Sequence, residues 1–169
     1  MKKLILMRHA KSAWNTGAPT DHARPLNKRG RKSAPVIAQT LKDLNWSPEW
    51  VLSSDSARTM ETWQKMDSYF LPKPTVLFLS ELYLGTLEDI QNMVSLHVPN
   101  EVETLLLLGH NPDWEETLFE LSNENLEMTT GNAALLSHQS QTWTDCIHQL
   151  KSWTFHQILR PRELMSSLP

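Results

Sequence analysis

Thr104-Leu105-Leu106-Leu107-Leu108-Gly109-His110-Asn111-Pro112 is the stretch from which the fold can be read. Four consecutive leucines without polar alternation describe a strand covered on both faces, as at the centre of a parallel sheet. Gly109 ends the run. Asn111 before Pro112 predicts the start of a helix, with Asn111 as N-cap and proline at the first helical position, running through Leu121.

Working outward, short apolar runs alternate with amphipathic ones, the pattern of β-α-β units. Leu4 to Met7 predicts a first strand, followed by a polar loop to Gly30 and a helix over Arg31 to Leu44. Val36, Ile37, Leu41 and Leu44 line one face of that helix, and Pro35 is expected near its first turn. Trp50 to Ser53 is a second strand, Ser56 to Phe70 a helix, and Val76 to Leu79 a third strand. Leu87 to Val98 is a helix with Thr86 as N-cap. Beyond Leu121, Asn132 to Ser137 and Thr154 to Leu159 read as strands, joined by a polar or short helical link around Trp143 to Leu150. The expected fold class is α/β: residues 1–169 as one domain of three layers, with a mostly parallel sheet between helices.

Composition sets limits on function. Hydrophobic residues at 40% and charged residues at 21% are ordinary for a globular domain. No run approaches the roughly 20 apolar residues that span a bilayer, and the apolar stretch after Lys2-Lys3 ends at Arg8, too short for a signal peptide. One cysteine, Cys146, fits a reducing cytoplasm, and no Cys/His cluster has metal-ligand spacing. A net charge of -3 gives no general attraction to nucleic acid or anionic lipid. The basic run Lys28, Arg29, Arg31 and Lys32 is either a solvated helix start or an element that recruits an anionic partner.

Ligands of open α/β sheets collect where strands end, because backbone N–H groups and helix N-termini point there. Arg8-His9 follows the first strand and His110 follows the leucine strand. Ser54 to Arg58 opens the helix after the second strand. Two histidines and two arginines can therefore meet in one pocket. Phosphoryl transfer needs such a set: arginine forks match phosphoryl oxygens, and a neutral imidazole nitrogen attacks phosphorus if its other nitrogen is held. The expected holder for His9 is a backbone carbonyl in the loop after it, with cationic surroundings keeping the ring neutral.

Met7-Arg8-His9-Ala10-Lys11-Ser12-Ala13-Trp14-Asn15 resembles the Arg-His-Gly motif of the histidine phosphatase superfamily, with Ala10 in place of glycine and the Ser-x-Trp-Asn continuation of its phosphoglycerate mutase branch. Arg-His-Ala-Lys-Ser, with Asp21 to Gly30, is more similar to SixA-type phosphohistidine phosphatases. Ser53 to Thr62 resembles the second arginine motif and Gly109-His110-Asn111-Pro112 the second histidine motif. Thr130-Gly131-Asn132-Ala133 and Arg160 to Leu164 extend the match almost to the C-terminus. The resemblance implies a phosphoglycerate mutase-like fold, a covalent phosphohistidine at His9 and a phosphate pocket of Arg8, Arg58 and His110. It also implies hydrolysis by water with no cofactor or metal. Asn15 matches a further phosphate contact of the mutase branch.

Glu81 stands near where the superfamily often places a general acid; otherwise it is a solvated loop carboxylate. Arg24, in the first loop, is a possible substrate contact. His22, His97, His138, His148 and His156 lack a motif and read as surface or satisfied core residues. Trp46, Trp50, Trp63, Trp143 and Trp153 read as packing anchors rather than base-stacking surfaces, and Trp14 as a border of the active-site loop. Glu115-Glu116 reads as charge favoured at a helix N-terminus. The implied activity is dephosphorylation of phosphohistidine in a signalling or phosphotransfer protein, such as a histidine-containing phosphotransfer domain. A phosphatase for small phosphate esters and a non-catalytic phosphate-binding module are the alternatives. No nucleic acid or membrane partner is expected.

Overall fold

The computed structural model describes residues 1–168. Its elements alternate β1 (Lys2–Arg8), α1 (Lys28–Asp43), β2 (Trp50–Ser54), α2 (Ala57–Gln64), β3 (Thr75–Leu79), α3 (Leu87–His97), β4 (Thr104–Gly109) and α4 (Asp113–Ser122). β5 (Ala133–His138), the short α5 (Trp143–Cys146), β6 (Thr154–Leu159) and α6 (Pro161–Ser166) complete the chain. The six strands form one sheet in the order β3-β2-β4-β1-β5-β6, parallel from β3 to β1 and antiparallel at β5 and β6.

The leucine strand lies inside this sheet because both of its faces are covered. Leu105 and Leu107 join a core with Trp114, Leu118, Ile90 and Val94, beneath α3 and α4. Leu106 and Leu108 join the opposite core with Ile37, Leu41 and Trp63, beneath α1 and α2. β1 divides the same way, Leu4 and Leu6 against Ile5 and Met7. The helices following the neighbouring strands β1 and β4 thus cover opposite faces, which leaves a crevice between the two strand ends. This is the topological switch point at which open α/β sheets bind ligands.

Local chemistry moves several boundaries from their expected places. α1 starts at Lys28 rather than Arg31, since the Asn27 side chain accepts from the Gly30 N–H and closes the first turn there. Gly30 is therefore helical, and a Cβ on it would lie 2.2 Å from the Lys11 carbonyl oxygen. Pro35 falls inside the helix, past its first turn. The expected helix over Ser56 to Phe70 is two pieces, α2 capped by Ser56 and a separate 3-10 turn at Asp67–Tyr69.

Asn111 is not the N-cap of α4. Its amide donates instead to Glu115 Oε1 and to the Met128 carbonyl, both at 2.8 Å, and Pro112 occupies the capping position without a side-chain bond. A carboxylate acceptor is a stronger partner for that amide than water, and it draws the side chain away from the helix end. Glu115 also accepts from the Met128 N–H at 2.7 Å, so it clamps the segment before β5 rather than merely facing solvent. Trp46, Trp63, Trp143 and Trp153 are buried, and Trp50 is half-buried.

Candidate active site

The ladder between β1 and β4 sets Arg8 opposite Gly109, so the residues that follow, His9 and His110, emerge together. The His9 N–H donates to the Gly109 carbonyl at 3.0 Å, and the two imidazole centroids are 5.2 Å apart. β2 pairs with the other edge of β4, with Ser53 opposite Leu108, and delivers Ser54 and then Arg58 on the first turn of α2. Arg8, His9, Arg58 and His110 line one pocket of about 170 Å³, as the strand-end reading expected of their positions.

Each side chain is held. His9 Nδ1 lies 2.7 Å from the Ala10 carbonyl oxygen, a pure acceptor, so the proton resides on Nδ1 and Nε2 keeps its lone pair. His110 Nε2 is 2.9 Å from the Ser54 hydroxyl. Arg8 donates to the Met128 carbonyl at 2.9 Å. Thr62 joins two parts of the site: its hydroxyl accepts from the Ala10 N–H at 3.1 Å and donates to the Arg58 carbonyl at 2.6 Å.

Asp21 organises the rim. Its carboxylate accepts from Arg24 Nε at 3.0 Å, from Arg58 at 3.0 Å and from the Tyr83 hydroxyl at 2.6 Å, while its carbonyl accepts from Arg58 at 2.8 Å. The Tyr83 hydroxyl, followed by the two guanidiniums, holds the Asp21 carboxyl far below the usual carboxylate range, despite opposing desolvation. Tyr83 also packs edge-on against His110 with centroids 5.4 Å apart. Neither Asp21 nor Tyr83 was singled out as a site residue from sequence. Their pairing spans a long aperiodic loop and a 3-10 turn, and only the match of Asp21 to the SixA-like segment hinted at it.

Arg24 lines the pocket, stacks on Trp14 at 3.8 Å and donates to the Ser12 hydroxyl and Ala13 carbonyl. Two other expected positions lie elsewhere. Asn15 is exposed and does not line the pocket, and Glu81 is an exposed residue of the 3-10 turn Ser80–Leu82 that also lies outside it. No Asp or Glu is among the described residues that line the pocket. The described residues also contain no group of three or more His, Cys, Asp or Glu side chains suited to a metal.

Residues 4–139 match the profile of the histidine phosphatase superfamily (branch 1). The chain belongs to the histidine phosphatase superfamily. It is similar to an uncharacterised chloroplastic protein of Arabidopsis thaliana, 36% identical over an alignment of 152 residues, with 85% of this chain and 70% of the relative covered. Among solved structures it resembles a provisionally assigned phosphohistidine phosphatase SixA from Nakamurella multipartitia, with TM-score 0.83 and 27% identity over 95% of this chain and 96% of that one. A second provisionally assigned SixA, from Agrobacterium tumefaciens, gives TM-score 0.79 and 28% identity over 95% and 98% of the two chains. As in the mutase-like architecture expected, this superfamily member carries its two histidines at adjacent ends of parallel strands.

Burial first, and then nearby cations, push the pKa of His9 down to about 3; burial, with His9 and Arg58 beside it, does the same for His110. Both rings are therefore neutral at pH 7. The linkage has a definite sign. An unfolded histidine binds a proton below about pH 6.5, whereas these two bind one only near pH 3, so the unfolded state takes up more protons between those values. Stability present above pH 6.5 is lost as pH falls through that window. The thermal unfolding midpoint is expected to drop from pH 7 to pH 4, and His110→Asn is expected to make the drop shallower. An unchanged slope in the variant counts against a neutral buried His110.

Among the described residues, no helix is long and apolar enough to cross a membrane.

Proposed function

We propose that this phosphatase fold acts as a SixA-type phosphohistidine phosphatase on a signalling or phosphotransfer protein. The observation that carries the reading is that none of the described residues lining the pocket is a carboxylic acid. Asp21, a carboxylate bonded to the pocket's Arg24 and Arg58, is held ionised by Tyr83, Arg24 and Arg58 and has no proton to give. An alkyl phosphate must expel an alkoxide and needs an acid, whereas a phosphoimidazole protonated on its distal nitrogen leaves as neutral imidazole. The chain's overall likeness to two provisionally assigned SixA structures supports the same substrate class.

In the first step, His9 Nε2 attacks phosphorus in line. The His9 N–P bond forms as the substrate N–P bond breaks, and the leaving imidazole keeps the electron pair. Arg8, Arg58 and neutral His110 hold the three equatorial oxygens as their charge shifts in the transition state. In the second step, water attacks the phosphorus of phosphorylated His9: the new O–P bond forms as the His9 Nε2–P bond breaks, the electron pair returns to Nε2, and both water protons leave on the phosphate, released as dihydrogen phosphate. The single cysteine, Cys146, is buried, which suits a reducing compartment such as the cytoplasm.

The test is turnover of a phosphorylated histidine-containing phosphotransfer domain beside a panel of alkyl phosphates, for the native protein and Glu81→Gln. Phosphohistidine is expected to be the better substrate, with Glu81→Gln within about twofold of native. Preferential ester hydrolysis that falls tenfold or more in Glu81→Gln would install the small-ester reading. Affinity for the phosphoprotein without hydrolysis would make the chain a binding module.

A further inference from the structure

Beside the catalytic pocket lies a larger cleft of about 460 Å³, whose walls include Lys11, Arg29, Thr130, Arg160, Arg162 and Glu163. Lys11 and Thr130 line both cavities, so the two adjoin. The connection is also covalent and hydrogen-bonded. The Gly131 N–H, next to Thr130, donates to the His9 carbonyl at 2.8 Å, and Lys11 follows His9 by two residues. Gly131 has φ +80, and a Cβ there would meet Pro161 at 2.9 Å, so its bare backbone lets Arg160 and Arg162 stand beside the active-site loop.

The cleft is cationic beyond what the fold needs. Arg160 has Glu163 at 3.9 Å and donates to the Glu127 carbonyl, but Lys11, Arg29 and Arg162 have no carboxylate within ion-pair distance among the described residues. Arg29 belongs to the run of Lys28, Arg29, Arg31 and Lys32 at the start of α1, where the first turn contains no acidic residue. Cations at the positive end of a helix dipole oppose helix formation. Of these four side chains only Arg31 is paired among the described residues, with Glu61 at 2.7 Å. The rim of the adjoining catalytic pocket exposes Trp14 and Leu84, 71% and 62% accessible. Apolar area beside free cations suits a protein surface better than a small dianion.

We propose that this cleft is a second anion subsite, taking the carboxylates of an acidic segment beside the phosphorylated histidine of a protein substrate. The proposal rests on the phosphohistidine reading for the identity of the reacting group. It predicts that recognition is divided: the pocket holds the phosphoryl group, and the cleft selects the protein that carries it. Because the cations are exposed, the contribution falls with ionic strength.

The experiment uses Arg29→Glu/Arg162→Glu, neither residue belonging to the catalytic pocket. KM and kcat are measured on an acidic phosphotransfer domain and on free phosphohistidine, and a fluorescein-labelled oligoglutamate peptide is titrated against an oligoglutamine control. The double variant is expected to raise KM for the acidic domain at least tenfold, with kcat within twofold and free phosphohistidine turnover unchanged. Oligoglutamate affinity should fall in parallel, and Arg29→Lys should behave as native. Unchanged KM for the acidic domain overturns the cleft proposal and leaves the substrate reading standing. An equal rise for free phosphohistidine also overturns it, by placing the effect on the pocket. Charge-dependent oligoglutamate binding by a protein that hydrolyses no phosphohistidine supports the cleft and removes the substrate reading.

Discussion

Replacing His9 with alanine is expected to lower turnover by roughly 10⁴-fold or more, the scale on which covalent nucleophiles contribute, and to abolish acid-labile phosphate labelling of the protein. The expectation follows from the ring's position and state. His9 is 5% exposed at the base of the pocket, its Nδ1 proton is spent on the Ala10 carbonyl, and its Nε2 is the atom left with a lone pair. Burial and the arginines around it keep that lone pair unprotonated far below neutral pH. His110 is held differently: its Nε2 faces the Ser54 hydroxyl and its buried Nδ1 has no partner among the described residues, which leaves Nδ1 for the phosphoryl oxygen that His110 holds. The variant retains Arg8, Arg58 and His110, so binding of inorganic phosphate, read by calorimetry, should persist while chemistry fails. Retained turnover, or a label that survives the substitution, would remove His9 from the mechanism.

The parts of this site legible in sequence are those that regular structure positions. Leu105 to Leu108 must be covered on both faces, and once β4 is central, the parallel pairing with β1 brings His9 to His110 without reference to any loop. Arg58 was legible for the same reason, being in the first turn of the helix after β2. What was not legible depends on loops whose residues have no period. The segment between β1 and α1 folds so that Asp21 reaches Arg58 and Tyr83, whereas Asn15, six residues earlier, turns to solvent. Glu81 and Tyr83 are two residues apart, yet a single 3-10 turn leaves the acid exposed and brings the phenol against His110. Asn111 illustrates competition: a good capping residue in isolation, it is claimed by Glu115 and by the Met128 carbonyl once the chain is folded.

Arg58→Ala should be the second most damaging change, with kcat/KM reduced by about 10²–10³-fold, the cost of removing one preorganised donor to a developing oxyanion. Arg58 is 4% exposed, and two of its nitrogens are committed to Asp21, one to the carbonyl and one to the carboxylate. Those bonds fix the plane of the guanidinium before substrate arrives, so the site is not reorganised at the moment of reaction. The same geometry predicts a poor rescue by lysine. A single ammonium can keep its bond to Asp21 or turn to the phosphoryl oxygens, but it has no fork with which to hold both. Arg58→Lys is therefore expected to recover no more than about a tenfold share of the loss. Stability should change far less. Asp21 is half-exposed and keeps Arg24 and Tyr83 as partners, so no buried charge is stranded, and the unfolding midpoint should move by only a few degrees. Kinetics and thermal unfolding measured on the same samples decide the matter. Near-native activity in Arg58→Lys would mean that Arg58 acts only as a charge, and a collapse of the midpoint in Arg58→Ala would mean that the Asp21 contact holds the fold rather than the site.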